Sequence, residues 1–354
     1  MTIPTEPVGS VPRDPSLQQA MAAHSEGSLS TQELNEKFDE AVRDTVDRLG
    51  STGSPVISDG EQTKSSFATY PVEGMANLSP DGVVIPFEDG HDRQLPAITS
   101  GPFRYQNFAG QYVERASRFT DLPIKQAVIS ASAMSLLYPE AGIDGYSREE
   151  FVADLIDQAE QDIRSCFDAG ADSVQVDFTE GRLALKLDPS GGLLQQFINL
   201  NNQVFARFSE EERQRIGVHT CPGGDHDSTH SADVDYAGLI PQLLNLDVGR
   251  FFMQMASETD PERALRLVGE HLKANQRAYI GVIDVIDENI ESAETVRDRV
   301  LMAAEHIPVA QLGTTDDCGF SPFSDDVATS RDTAFKKIAA RVEGTRMASE
   351  QLGV

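Results

Sequence analysis

Short apolar runs rich in β-branched residues recur along the chain, each followed by a stretch in which apolar positions return every three to four residues. Runs of four to eight residues read as strands and the 3.6-residue period as helix, so the alternation predicts parallel βαβ units. Eight runs stand out, at 3–10, 54–58, 124–130, 172–178, 216–220, 250–256, 279–285 and 309–315. Eight strands in this rhythm predict a (β/α)8 barrel of the α/β class, with residues 1–354 forming one catalytic unit. The helices are as plainly patterned: Phe151, Leu155, Ala159, Ile163 and Phe167 make one stripe, which Gly170 ends. Similar stripes run over 31–49 and 291–305, with Ser30 and Ser292 as N-caps, and over 331–350. The segment 63–105 departs from the rhythm, and its Val-Val-Ile-Pro-Phe and Leu-Pro-Ala-Ile-Thr-Ser-Gly runs predict an inserted hairpin.

Composition narrows the partners. With 57 acidic and 29 basic side chains the net charge is −28, which repels phosphate backbones and anionic membrane surfaces, so neither nucleic acid nor membrane is expected. No stretch approaches the roughly 20 apolar residues that span a bilayer, and the first 15 residues lack a basic region leading into an apolar core. Three cysteines cannot build a disulfide framework, and a reducing cytoplasm is the expected location.

Candidate chemistry sits where a barrel concentrates it, at the C-terminal ends of strands. His219 and Cys221 end the fifth predicted strand, and alternation puts both side chains on one side. Cys318 follows the eighth strand in Gly-Thr-Thr-Asp-Asp-Cys-Gly-Phe, across a closed barrel from the fifth. One ion at the mouth could collect all three, and two thiolates with an imidazole suit zinc while leaving a position for a substrate. By itself the pattern is weak, and inert buried cysteines are its commoner meaning. Cys166 lies on an apolar helix stripe and reads as core. His226 and His230 fall in a polar loop, Pro-Gly-Gly-Asp-His-Asp-Ser-Thr-His, which reads as solvated; its Gly223-Gly224 pair supplies backbone freedom beside Cys221.

At these residues the chain resembles the catalytic half of the cobalamin-independent methionine synthase family and its shorter relatives, among them zinc-dependent epoxyalkane:coenzyme M transferases. Gly9-Ser10-Val11-Pro12-Arg13 is similar to the family's opening turn, and Ser58-Asp59-Gly60-Glu61-Gln62 resembles the acidic turn after strand two. Gln175-Val176-Asp177 resembles the end of strand four, while His219-x-Cys221 and Asp317-Cys318-Gly319 resemble the zinc-ligand motifs. The resemblance implies a barrel of the methionine synthase and uroporphyrinogen decarboxylase type, holding zinc through His219, Cys221 and Cys318. It also implies that Ser10, Asp59, Glu61 and Asp177 hold the thiol substrate.

Three departures shape the expected activity. The family's carboxylate ligand is replaced by Gln254, with Glu258 four residues on as an alternative ligand. Ile286 stands where methionine synthases place the imidazole that protonates the folate, leaving Asp284 as the candidate acid. The second barrel and the pterin-facing Trp are missing, and the chain has no Trp. The expected function is a zinc-dependent thiol alkyltransferase of methionine biosynthesis, methylating homocysteine or a similar thiol from methylfolate or a corrinoid protein. The alternatives are an epoxide:thiol transferase and, in another class, a metal-free decarboxylase-like lyase. With Ile286 in place of the imidazole, free methylfolate is expected to be a poor donor.

Overall fold

The computed structural model describes residues 2–354. Six parallel strands lie side by side in chain order: Lys125–Ile129, Ser173–Asp177, Ile216–Thr220, Arg250–Met253, Arg277–Gly281 and Leu312–Thr315. The two remaining staves of the barrel are single bridges, Thr5 with Thr314 and Ile57 with Ile124. Proline is the reason, because Pro4, Pro7 and Pro55 have no N–H to give to a ladder. The first stave keeps only the bonds from Thr314 N to Pro4 O and from Glu6 N to Thr314 O. Closure between first and second staves runs through Val11 N to Gly60 O, 3.1 Å, and Ser58 Oγ to Gly9 O, 2.7 Å. The predicted barrel is therefore present, with its first two strands reduced to contacts.

Helices wrap this sheet as their stripes require. Arg148–Asp168 buries Phe151, Leu155, Ile163 and Cys166, so Cys166 is core. Ser30 caps Thr31–Ser51 in a reciprocal capping box with Glu33, and Ser292 caps Ala293–Ala304. Arg331–Leu352 packs chiefly on Ala293–Ala304. No helix among the described residues is long and apolar enough to cross a membrane.

The irregular segment contains a long hairpin with two rungs, Leu78–Ser79 against Ala97–Ile98 and Val84–Pro86 against Asp92–Gln94. Its tip is tied to the loop after the fifth stave. Asp225, whose carboxylate is wholly buried, accepts from Arg93 and from His91 Nε2 at 3.1 Å, while Arg93 also reaches Asp325 at 2.9 Å. The hairpin thus lies over the C-terminal ends of the strands, where the candidate residues are.

Candidate metal centre and substrate cavity

His219 and Cys221 leave the strand Ile216–Thr220 as expected, and Cys318 arrives from the loop after Leu312–Thr315. The structure brings the three together: their ligand atoms lie within 4.8 Å of one another, with Cys221 Sγ and Cys318 Sγ 3.0 Å apart. His219 Nδ1 meets the Phe252 carbonyl at 3.2 Å, an acceptor that fixes the proton on Nδ1. Nε2 is buried without a hydrogen-bond partner. Cys221 beside it, and burial, push the Cys318 thiol far above its ordinary pKa. Two thiols this close stay protonated unless a cation offsets their charge. An unpartnered imidazole nitrogen and two soft sulfurs fit a zinc ion.

Gln254 follows the strand Arg250–Met253, one step beyond Met253 opposite Thr220, and its N–H donates to the Thr220 carbonyl at 3.3 Å. Its Nε2 donates to Ser257 Oγ at 2.7 Å, and its Oε1 is buried with no partner. The turn that holds it is clamped by Asp317, which accepts from Met255 N, Ala256 N and both Ser257 N and Oγ at 2.7–2.9 Å. Asp317 reaches this turn across Gly281, where a Cβ would come within 1.9 Å of its Oδ1. The residue beside Cys318 therefore positions Gln254. Glu258 is not in the group: its carboxylate is paired with the buried Arg182, which removes it as the alternative ligand.

A cavity of about 30 Å3 adjoins these ligands, lined by Ser10, Glu61, Asp177, His219 and Cys318 among others. It has room for a water or two. Glu61 sits at φ +54, turned inward, with Oε2 unpartnered. Burial pushes its carboxyl up to about 7 against the pull of Lys64, 3.8 Å away, and burial likewise raises Asp177. Asp59 is buried behind the turn, accepting from Glu61 N at 3.1 Å, and positions Glu61 without lining the cavity. Asp284 is elsewhere: its Oδ1 accepts from Ile286 N and Asp287 N in the turn after Val282, and it lines neither this cavity nor its neighbour. The structure does not bring it to the place that the expected acid role requires.

Sequence reasoning passed over three residues. Arg13 is buried and donates to the carbonyls of Glu61, Lys64, Ser321 and Phe323, tying two loops to the opening turn. Lys64 donates to Ala127 O beside Glu61. Glu180, fully buried, opens the helix Glu180–Leu187 three residues after Asp177. Its Oε1 accepts from Ser130 Oγ at 2.6 Å and from Ser132 Oγ, and its Oε2 has no partner. Burial pushes its carboxyl up to about 7. The only signal in the sequence was an acidic residue just past a strand end.

Glu180 faces a second space, a chamber of about 370 Å3 that shares Phe67, Thr179, Gly223 and Gly224 with the small cavity. The inserted hairpin supplies part of its wall, through Ile85, Phe87 and Leu95. His230 also lines it, and here the solvated-loop expectation fails. The imidazole is buried, bonded to Ser231 Oγ at 2.6 Å, met edge-on by Phe87, and pushed by burial down to about 4. It occupies the space a Cβ on Gly223 would need, at 1.8 Å, which makes that glycine necessary.

The family model described as "Cobalamin-independent synthase, Catalytic domain" matches residues 3–340. Over 354 residues the chain is 21% identical to a methionine synthase of Saccharolobus solfataricus, covering 99% of this chain and 96% of that protein. A methionine synthase of Sulfurisphaera tokodaii is also 21% identical, over 99% of this chain and 94% of its own length. Among solved structures, a B12-independent methionine synthase from Shewanella sp. W3-18-1, in complex with selenomethionine, superposes with a TM-score of 0.79 at 20% identity, covering 99% of both chains. A putative vitamin-B12 independent methionine synthase from Listeria monocytogenes gives 0.74 at 19% identity and 98% of both. Those likenesses establish the barrel fold, and the match over nearly the whole length establishes the lineage: the chain belongs to the cobalamin-independent methionine synthase catalytic-domain family.

Proposed function

We propose that this protein is a zinc-dependent thiol methyltransferase, transferring a methyl group from methylfolate or a corrinoid protein to homocysteine or a similar amino-acid thiol. The observation that carries the reading is the convergence of His219, Cys221 Sγ and Cys318 Sγ beside two buried carboxyl groups, Glu61 and Asp177. His219, Cys221 and Cys318 would hold the ion, with Gln254 Oε1 as the fourth donor. Zinc bound there supplies the electrostatic pull that converts a thiol into a thiolate at neutral pH.

The rest falls to the chain's own residues. Glu61 and Asp177 are held in a dry site with raised pKa values, so an entering ammonium group is drawn in and ionises them. Ser10 lines the same cavity and tethers the Cys318 loop by accepting from Ser321 N at 3.2 Å. Lys64 holds Glu61 in place, and Asp59 holds the turn. An amino-acid thiol exceeds a cavity of about 30 Å3, so binding requires the Gly223–Gly224 segment or Phe67 to give way.

The test is zinc analysis of the purified protein together with a mass-detected thiol screen using methylfolate and methylcobalamin as donors. One zinc per chain and alkylation of homocysteine are expected. Protein purified without chelators and lacking zinc, or alkylating no thiol from any donor, overturns the reading.

A further inference from the structure

Beneath the thiol cavity the barrel interior holds a buried polar chain. Alternation along Ser173–Asp177 puts Gln175 and Asp177 on one face; Asp177 lines the cavity, and Gln175, one step lower, is wholly buried. Lys125 opens the neighbouring strand Lys125–Ile129 and is 1% exposed. Its Nζ donates to Gln175 Oε1 at 2.8 Å, and Gln175 Nε2 donates to Asp177 Oδ1, also at 2.8 Å. A lysine that lines no part of the cavity is thus joined to the cavity's carboxylate through one amide.

The direction of this chain is set at both ends. The lysine nitrogen has hydrogens to give and a carboxylate only accepts, so the amide turns its oxygen to Lys125 and its N–H to Asp177. Without a donor at position 125 the amide is free to flip, and its oxygen would then face Asp177, acceptor against acceptor. Lys125 is itself held from several sides. Glu6 Oε2 lies 3.9 Å from Nζ while Glu6 Oε1 meets Arg250 at 3.1 Å, and Nζ sits 3.6 Å from the centroid of the Phe252 ring, which stacks on Tyr279. Burial pulls the amine down to about 7 and Glu6 raises it again; in either state the nitrogen carries N–H bonds to give. Apolar side chains of the same volume would fill this core without needing counter-charges, so stability alone does not account for a lysine here.

We propose that Lys125 is the positioning residue of the ammonium receptor: through Gln175 it holds Asp177 with Oδ1 occupied and its carboxylate fixed at the cavity, and so makes the site prefer amino-acid thiols to thiols that lack the amine. The inference rests on the thiol-transfer reading above and adds to it the residue that enforces the substrate class. Lys125 touches no substrate atom and acts only through the amide and the carboxylate.

The test on the full chain compares homocysteine with 4-sulfanylbutanoate, which differs from it only in lacking the ammonium group. Calorimetric binding needs no turnover. Lys125→Met keeps an unbranched stem in the core and removes the donor; it is expected to weaken homocysteine binding by about tenfold or more and to change 4-sulfanylbutanoate by less than about twofold. Gln175→Glu, nearly isosteric, breaks the chain at its middle link while leaving Lys125 a partner, and is expected to give the same selective loss. An undiminished preference for homocysteine in either folded variant, or equal losses of the two thiols, overturns the inference.

Two further readouts separate positioning from a general structural effect. In an Asp177→Asn background, Lys125→Met is expected to weaken homocysteine by less than about twofold more, whereas a further loss of about tenfold would mean that Lys125 acts by another route and overturns the inference. With methylcobalamin as donor, Lys125→Met is expected to raise KM for homocysteine by about tenfold and to keep kcat within about twofold. A fall in kcat at unchanged KM overturns it. An amine preference that depends on Lys125, found without alkylation by any donor, overturns the thiol-transfer reading alone; alkylation of homocysteine to which Lys125→Met is indifferent overturns this inference alone.

Discussion

The two spaces at the barrel mouth share a wall and little else. The smaller, of about 30 Å3, is bounded by sulfur, imidazole and carboxylate from four different staves; the larger, of about 370 Å3, is bounded mainly by aromatic and aliphatic side chains and by the hairpin. Each contains a carboxylic acid lifted to about 7 by burial, Glu61 in one and Glu180 in the other, yet their surroundings differ. Glu61 has Lys64 at 3.8 Å and Asp177 across the cavity, an arrangement that ionises once a cation arrives. Glu180 has no cation beside it: burial and the charge of Asp177 raise its carboxyl, against the pull of the hydrogen bonds donated by Ser130 and Ser132. The same burial therefore raises two carboxyls on either side of Gly223, one beside a cation and one without.

The comparison breaks most sharply at the metal. Cys221→Ser and Cys318→Ser are each expected to reduce zinc from one per chain to below about 0.1, with circular dichroism unchanged because the barrel core is independent of the site. Retention of full zinc by both variants would remove the ligand assignment. Next in size, Asp177→Asn is expected to raise KM for homocysteine by about 10- to 100-fold while leaving propanethiol, which has no ammonium group, nearly unaffected. Equal effects on the two thiols would show that Asp177 does not receive the amine.

Gln254→Glu is expected to tighten zinc binding by about tenfold in chelator competition, since it puts an anion where Oε1 is now unpartnered. An unchanged affinity would show that position 254 faces away from the ion. The smallest effect concerns pH. A carboxyl raised from 4.5 to about 7 on folding binds more protons in the native state, so its contribution to stability is full below pH 4.5 and is lost as pH rises towards 7. The melting temperature of the ligand-free protein should fall across that window, and Glu61→Gln should flatten the fall. Identical slopes would mean that other buried carboxyls, such as Glu180 and Asp317, carry it.

Much of this molecule is legible in one dimension. Strand and helix periods, Ser30 and Ser292 as caps, and the position of the inserted hairpin follow from local patterning that tertiary packing did not overrule. The first two staves were legible only in part, since Pro4, Pro7 and Pro55 mark where ladders stop without saying that two residues suffice to close a ring. A carboxylate near a strand end reads as chemistry, but Asp284 bonds through Oδ1 to Ile286 N and Asp287 N and lines neither cavity. His230 misled in the opposite sense. A polar loop reads as solvated, but Phe87 of the hairpin covers the ring.

The sequence alone determined the barrel and the placing of His219, Cys221, Gln254 and Cys318 at strand ends, because alternation and motif spacing are properties of the chain itself. Tertiary structure decided what no spacing encodes. It set Glu258 against Arg182 and tied Gln254 to Thr220 and Ser257, and it folded the hairpin down through Arg93 and Asp225 to wall part of the chamber. The same packing made Glu180 a buried, half-satisfied acid. Burial and the absence of a counter-charge arise from surfaces that meet across the fold, and both depend on residues tens to hundreds of positions apart.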